Sequence, residues 1–342
     1  MSGPRIAAAS FGGTITMTSA AADGVGVNPA LSAEQLMGAV PGLADVAELH
    51  TETLDTVPGA SLTFESVLRG LAWARSQVAR GADGVVLIQG TDTIEETAYL
   101  LDIYWDSAAP LVITGAMRSP ELPGADGPAN LMAAVRVASA NRSRDRGVLV
   151  VLNDEVHAAC RVRKARASGL GAFATADFGP IGYVDERQVY FGNRVDRPLP
   201  LELPGRHAPS RVALLETYLG DDGEVLDAIV ECGFDGVVLA GFGVGHVSAS
   251  CARAVQRATS IIPVVVTSRT GAGRTHDNSY AFPGSESDLA NKGAILGGWL
   301  DARKARILLS CLIAGQHSEP SIRSEFAVRG HQVWSGRLSA TV

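Results

Sequence analysis

The sequence predicts an α/β fold, in which a doubly wound, mostly parallel sheet is followed by a second, smaller α/β domain. Short apolar runs typical of buried strands alternate with segments of helical spacing, and strands separated by helices form parallel sheets covered on both faces. The chain has 342 residues, which is longer than one core usually grows, so two domains are expected. We predict domains at residues 1–192 and 211–342, joined by a linker at 193–210.

The predicted elements follow this alternation along the chain. In the first domain, strands are predicted at 5–10, 84–88, 111–114 and 148–152, and helices at 66–80, 95–105 and 130–140. The linker is rich in proline, which removes backbone donors and favours extended chain. In the second domain, strands are predicted at 212–216, 236–240 and 262–267, and helices at 224–232, 248–258 and 301–314.

Composition and charge exclude several classes of protein. The net charge of −7 leaves no basic surface for nucleic acid, and no apolar stretch approaches the ~20 residues of a membrane-spanning helix. The apolar run at the amino terminus is too short for a signal peptide, so we expect a cytoplasmic protein. Its four cysteines are scattered without metal-binding spacing, and we expect no metal or other cofactor.

The stretch Gln-Gly-Thr-Asp-Thr places hydroxyls and a carboxylate between the strand predicted at 84–88 and the helix that follows. Thr93, followed three residues later by Glu96, has the spacing of a capping box. In open α/β sheets, ligands bind outside the carboxyl ends of strands, where helix amino termini offer N–H groups. Thr91 and Asp92 are therefore candidate catalytic and binding residues.

Two other predicted strands are followed by candidate residues. Gly12 and Gly13 let the backbone turn tightly after the first strand, and Thr14 supplies a hydroxyl at that turn, although a plain turn is the competing interpretation. Lys164 follows the strand at 148–152 within a basic stretch, for which a solvated basic face is the competing interpretation. The plain turn at Thr14 and the solvated basic face at Lys164 become weaker interpretations if the sheet brings these side chains to one edge.

The chemistry of these candidates is mutually consistent. The hydroxyl of Thr14 or Thr91 is a poor nucleophile near neutral pH and needs a neighbouring proton acceptor, which Lys164 beside Asp92 can supply. Backbone N–H groups near Gly90, or in the first glycine turn, can hold a developing oxyanion. The sequence therefore predicts an amide-hydrolysing site that needs no metal.

These residues resemble the bacterial-type L-asparaginases, which are threonine amidohydrolases of the asparaginase/glutaminase family. The resemblance rests on Gly12-Gly13-Thr14-Ile15 together with the run from Gln89 to Ala98. Further similar stretches lie at 113–118, 125–131, 153–159 and 304–306.

The resemblance implies hydrolysis of asparagine to aspartate and ammonia through a covalent acyl-threonine. Thr14 would be the nucleophile, and Thr91, Asp92 and Lys164 would form a hydrogen-bonded group, with Asp92 also holding the substrate's α-amino group. The family further implies a homodimer or homotetramer with each site formed between two subunits.

This chain departs from the family pattern near the amino terminus. The glycine-rich segment 19–28, where relatives carry a mobile lid, lacks the lid tyrosine. At the place of the family's substrate-gripping segment stand Gly59 and Ala60, which offer no side-chain hydrogen bonds, so that Ser61 is the remaining polar candidate and a plain loop the alternative.

A further departure lies in the second domain. His246 stands where relatives place an asparagine near the neighbouring subunit's site, and Tyr280 lies where many supply an acidic residue. Each is a predicted substrate-binding residue, with ordinary packing as the alternative.

Other functions remain open at this point. A glutaminase or a hydrolase of another small amide fits the same chemistry, and the weak polar character of residues 59–60 favours it. A non-catalytic amino-acid-binding protein would not need a hydroxyl nucleophile beside a proton-transfer group. The asparaginase-like subunit of a transfer-RNA-dependent amidotransferase would need a surface for nucleic acid, against which the acidic charge weighs.

Overall fold

The computed structural model describes residues 3–19, 27–29, 31–205 and 210–331. These residues divide into two compact units. The first comprises the residues up to Asn193 and the segment that begins at Pro200, and the second comprises Arg194–Leu199 and the residues from Ser210 onward.

The first unit contains these strands and helices among the described residues. Its strands are β1 (Arg5–Ser10), β2 (Met17–Ser19), β3 (Val27–Pro29), β4 (Glu48–Thr53), β5 (Gly84–Ile88), β6 (Leu111–Thr114), β7 (Val148–Leu152), β8 (Glu155–Ala158), β9 (Arg163–Lys164), β10 (Phe173–Ala174), β11 (Gly182–Asp185) and β12 (Gln188–Phe191). Its helices are α1 (Ala33–Gly38), α2 (Phe64–Ala79), α3 (Ile94–Tyr104) and α4 (Gly127–Ser139).

Eight of these strands form one sheet in the order β12-β11-β8-β7-β6-β5-β1-β4. The five strands from β7 to β4 are parallel, and β5, β6 and β7 are buried at every residue, as expected for strands covered by helices on both faces. The predicted doubly wound, mostly parallel sheet is confirmed. Because Ser10 lies beside Ile88 in the register, the turns that follow β1 and β5 are neighbours.

The remaining strands of this sheet are an antiparallel extension that the sequence prediction did not include. The chain reverses after β7 at Asn153 and Asp154, both in the left-handed region with φ of 52° and 62°, and returns as β8. Beyond β8, the chain forms a separate ribbon in which β9 pairs with β10, so that Lys164 lies opposite Phe173. This ribbon carries Lys164.

The second unit is a smaller α/β layer, as predicted. Its four-stranded parallel sheet has the order β13-β14-β15-β16, from β13 (Val212–Glu216), β14 (Gly236–Gly241), β15 (Val264–Ser268) and β16 (Ile295–Leu296). Its helices are α5 (Glu224–Glu231), α6 (Ala249–Thr259), α7 (Glu286–Asn291), α8 (Ala302–Ala314) and α9 (Glu319–Gly330). None of the helices in the described ranges is long and apolar enough to cross a membrane.

The predicted linker at 193–210 contains neither helix nor strand at its described residues. Leu201 donates its backbone N–H to the carbonyl of Ile103 in α3 at 2.8 Å, so part of this segment packs on the first unit. We keep 193–210 as the proposed connection between the two domains.

Candidate active site

Three glycine turns of the first unit meet at one point beyond the ends of β1 and β5. Gly13 has a φ of 93°, and a Cβ there would lie 2.1 Å from the backbone nitrogen of Gly90. A Cβ on Gly59 would lie 2.8 Å from the carbonyl oxygen of Gly90. Only residues without a side chain allow these backbones to approach so closely. Thr14, which follows Gly13 directly, is therefore held beside the turn that carries Thr91.

A half-buried lysine joins the residues of the second turn. The Nζ of Lys164 donates to Thr91 Oγ1 at 2.9 Å and to Asp92 Oδ1 at 2.7 Å. Its side chain is 14% exposed, so a solvated basic face does not describe it, whereas the carboxylate of Asp92 is 62% exposed. Thr91 is buried. The structure thus brings together three of the four predicted catalytic side chains by hydrogen bonds and places the fourth, Thr14, on the adjoining turn.

This arrangement can move a proton. A lysine ammonium offers three donors, and a neutral lysine amine can accept the proton of a neighbouring hydroxyl. The Thr91 hydroxyl lies within hydrogen-bond reach of that nitrogen, as a nucleophile or a water-activating group requires. The exposed side of Asp92 remains available to a cationic group of a ligand.

A second carboxylate holds the backbone of the same lysine, and sequence reasoning missed it. Glu95 is buried at the start of α3, and its Oε2 accepts the backbone N–H of Lys164 at 2.9 Å. The sequence signal for this contact is weak: Glu95 is a charged residue next to Ile94, at the start of a mostly apolar helix.

The capping box predicted for α3 was wrong. The helix has Thr93 as its N-cap, but no side chain caps it, and Thr93 Oγ1 instead donates to the carbonyl of Gly59 at 2.9 Å and accepts from Gln89 Nε2 at 3.3 Å. The hydroxyl that would cap the helix instead ties it to another turn. Thr93 therefore helps to hold the glycine turns together.

The predicted substrate-gripping segment forms a short 3-10 turn, Gly59–Ser61, against the Gly90 turn. Gly59 is buried by this packing, which gives it a structural reason to lack a side chain. Ala60 and Ser61 are exposed beside it. Ser61 thus presents a hydroxyl on the turn that adjoins Gly90.

His246 and Tyr280 lie together in the second unit. The ring of His246 makes edge contacts with Tyr280 and Phe282, at centroid distances of 4.8 and 4.9 Å, and its Nε2 lies 2.9 Å from Glu286 Oε2. Glu286 is fully buried and also accepts the backbone N–H groups of Ser279 and Tyr280, which hold its pKa below the ordinary value despite its burial. The predictions for His246 and Tyr280 as substrate-binding residues stay predictions.

Two further features bear on the site. Residues 20–26 of the predicted lid segment lie outside the described residues. Among the residues that the structure describes, no group of three or more histidine, cysteine, aspartate or glutamate side chains is placed to hold a metal ion.

Comparison with known proteins covers both units. Residues 5–197 match the family model described as asparaginase, N-terminal, and residues 211–326 match that of the glutaminase/asparaginase C-terminal domain. The chain is 32% identical over 333 residues to a probable periplasmic L-asparaginase of Haemophilus influenzae. This alignment covers 94% of this chain and 92% of that protein.

Two further similarities frame the range of relatives. The chain is 32% identical over 267 residues to a glutamyl-tRNA(Gln) amidotransferase subunit of Methanosphaera stadtmanae, which covers 75% of this chain and 60% of that protein. The crystal structure of a probable cytoplasmic L-asparaginase from Campylobacter jejuni superposes with a TM-score of 0.84 at 31% identity, covering 95% of this chain and 99% of that chain.

Proposed function

Because this chain belongs to the asparaginase family, we propose that it hydrolyses the side-chain amide of L-asparagine to aspartate and ammonia through an acyl-enzyme on Thr14. The resemblance read from the sequence is confirmed, and the chain is a hydrolase that acts on the carbon–nitrogen bonds of small amides. Asparagine as the substrate and threonine as the nucleophile are the further content of the proposal.

The hydrogen-bonded group of Thr91, Asp92 and Lys164 is the observation that carries this proposal. This group lies beside the turn that carries Thr14, and in the proposal Lys164 supplies proton transfer there while Asp92 supplies a carboxylate. Thr14 is half-buried, and within the described part of the chain no partner engages its hydroxyl. A free hydroxyl beside such a group is what nucleophilic catalysis requires.

The proposed reaction has two steps. In the first, Thr14 Oγ1 bonds to the amide carbon, the hydroxyl proton passes to the departing nitrogen, and the carbon–nitrogen bond breaks to release ammonia. In the second, a water molecule adds to the acyl carbon while Thr91 and Lys164 take up its proton, and the ester bond breaks to return the proton to Thr14. General acid–base assistance of this kind contributes about 10²- to 10⁴-fold in rate.

The backbone supplies the donors for the oxyanion in this proposal. The N–H of Gly12 already donates to Ser10 Oγ at 3.0 Å, so it is committed within the protein. The amides of Gly90 and Thr91, at the end of β5, are the proposed donors. Each such donor is worth about 3 to 4 kcal/mol in the transition state.

Substrate recognition is proposed to use both ends of the amino acid. The exposed carboxylate of Asp92 would bind the α-amino group, and the hydroxyl of Ser61, with the backbone of Gly59 and Ala60, would bind the α-carboxylate. Both groups lie on turns that adjoin Gly90, which supports a common pocket.

We further propose a homodimer or homotetramer in which His246 and Tyr280 of one subunit complete the site of another. Light scattering measures the assembly. Complementation tests the shared site: Thr14→Ala and Tyr280→Ala variants, each inactive alone, should regain activity when mixed and refolded together. A monomer with full activity would end this part of the proposal.

Ammonia release from a panel of amides tests the function itself. We expect the highest kcat/KM for L-asparagine, with a loss of several orders of magnitude in Thr14→Ala and partial activity in Thr14→Ser, which keeps a hydroxyl. Thr91→Ala should be similarly impaired. Wild-type turnover in Thr14→Ala would refute the threonine nucleophile, and binding of asparagine without turnover by the native chain would favour an amino-acid-binding protein.

A glutaminase or a hydrolase of another small amide is the second candidate. It is supported by Ala60, which adds no hydrogen bond to the proposed grip on the substrate. The Methanosphaera stadtmanae relative, named as part of an amidotransferase, supports an amide substrate other than free asparagine. The panel therefore includes L-glutamine, D-asparagine and simple dicarboxylic amides.

The cytoplasm is the proposed location. The support is the Campylobacter jejuni structure, whose protein is named cytoplasmic, while the Haemophilus influenzae relative is named periplasmic. Fractionation of the native organism, followed by an immunoblot, distinguishes the two compartments.

A further inference from the structure

Lys164 belongs to a very short strand beside the candidate site. Its strand, β9, has two residues and pairs with only two residues of β10. An isolated pair of strands is marginally stable at best in water, even when it is longer than this. The ribbon by itself therefore does not fix where a long and flexible lysine side chain ends.

A single segment of the chain forms hydrogen bonds with both the backbone and the side-chain nitrogen of Lys164. Thr91 and Asp92 engage its Nζ at 2.9 and 2.7 Å, and Glu95, at the start of α3, accepts its backbone N–H at 2.9 Å. Because these three groups lie within five consecutive residues, their spacing is set by the turn and first helical residues that they belong to. One continuous segment, residues 91–95, thus holds Lys164 both at its backbone N–H and at its side-chain nitrogen.

The backbone contact is a strong one. Glu95 is 3% exposed, and a hydrogen bond in the low-dielectric interior, such as the one at 2.9 Å from the backbone N–H of Lys164 to Glu95 Oε2, is electrostatically stronger than one in water. The carboxylate also lies in the first turn of α3, where the helix dipole favours negative charge. Glu95 is therefore suited to hold a backbone without changing its own position.

We propose that Glu95 is a positioning residue, which sets the Nζ of Lys164 against the Thr91 hydroxyl by anchoring the backbone of the lysine. This inference rests on the proposed function, in which Lys164 transfers protons. Glu95 itself touches no substrate in this scheme and acts only through Lys164.

Substitution of Glu95 has a distinct kinetic signature under this proposal. Glu95→Ala should lower kcat by roughly 10- to 100-fold with little change in KM, because a displacement of about 1 Å in a reacting group costs on the order of 10²-fold in rate. Glu95→Gln should keep most of the activity, since its amide oxygen can still accept the N–H. Glu48→Gln, a control of the same chemistry at an exposed residue of β4, should change kcat less than about twofold, the range of surface substitutions.

A double-mutant cycle separates positioning from a merely structural role. If Glu95 acts only through Lys164, Glu95→Ala combined with Lys164→Met should be no slower than Lys164→Met alone. A structural role would instead lower activity by the same factor in both backgrounds. Should Glu95→Ala fail to fold, Glu95→Asp, which keeps the charge but is one methylene shorter, replaces it in the same cycle.

The outcomes distinguish this inference from the function beneath it. Additive losses in the cycle, or an unchanged kcat in Glu95→Ala, overturn the positioning role. Wild-type turnover in Lys164→Met instead removes the proposed proton transfer, and the positioning role falls with it. A rate lost in Lys164→Met and in Glu95→Ala, but not lost further in their combination, supports both.

Discussion

Acidification should destabilise the first unit through a single buried histidine. His157 in β8 is fully buried, and its Nδ1 bonds to Thr175 Oγ1 at 2.9 Å, while its Nε2 has no hydrogen-bond partner among the described residues. Glu155 approaches that nitrogen at 3.3 Å but stays one-third exposed to solvent. Burial therefore dominates and lowers the pKa of His157 from 6.5 to about 4.

The sign and size of the effect follow from proton linkage. The unfolded chain binds a proton at this histidine below pH 6.5, whereas the folded chain does so only near pH 4. Stability is therefore complete above pH 6.5 and is lost as the pH falls from 6.5 towards 4. The shift of about 2.5 pKa units corresponds to roughly 3 kcal/mol, of which about 2 kcal/mol is lost between pH 7 and 4.5.

Urea unfolding at several pH values measures this loss in the native chain and in His157→Asn. The asparagine does not titrate and can still bond to Thr175, so the difference between the two pH profiles isolates the histidine. His50→Asn, at an exposed residue of β4, is the matched control and should leave the native pH profile unchanged. Equal losses of stability in the native chain and in His157→Asn between pH 7 and 4.5 would refute the reasoning.

Substitutions at three positions test the geometry of the candidate site. Gly13→Ala should abolish turnover and lower the free energy of unfolding by about 2 to 5 kcal/mol, because the φ of Gly13 is 93° and the added Cβ would collide with backbone. Gly38→Ala is the control: its Cβ would meet nothing within 4 Å, so turnover and stability should stay unchanged. Ammonia release measures turnover, and urea unfolding measures stability. Thr91→Val should lose about 10²-fold or more in kcat and Thr91→Ser about tenfold or less, since only serine keeps a hydroxyl for Lys164. Asp92→Asn should raise KM for asparagine yet shift stability by less than ~1 kcal/mol in urea, because its carboxylate is 62% exposed.

The parts of the fold that the sequence predicts well are those decided by local pattern. The strands 5–10, 84–88, 111–114 and 148–152 have the predicted bounds, because each is an apolar run that ends at polar or glycine residues. The antiparallel extension beyond β7 was not predicted, since β11 alternates buried and exposed residues, and β12 exposed and half-buried residues, over only four positions each. So short a pattern does not separate an edge strand from a loop.

In the candidate site, too, features set by local sequence could be predicted, whereas contacts between distant residues could not. Thr91 and Asp92 could be singled out because they lie in the turn between a buried strand and the helix that follows it. The failure of the capping box could not be foreseen, since the hydroxyl of Thr93 is taken by Gly59, 34 residues away in the chain. The contact between Glu95 and Lys164 spans 69 residues and depends on how a two-residue ribbon meets a helix. Such contacts are products of the fold.

Under the proposed function, the glycine contacts separate the residues for chemistry from those for substrate recognition. Gly13 and Gly90 meet backbone to backbone, and this contact fixes the turns that carry Thr14 and Thr91 without any side chain. Ser61, by contrast, is an exposed residue of a turn that meets this framework at Gly59. A change at Ser61 should therefore alter which amide binds, seen in KM, while kcat for a bound substrate stays close to that of the native chain. A large fall in kcat in Ser61→Ala, with KM unchanged, would show that the two tasks are not separate.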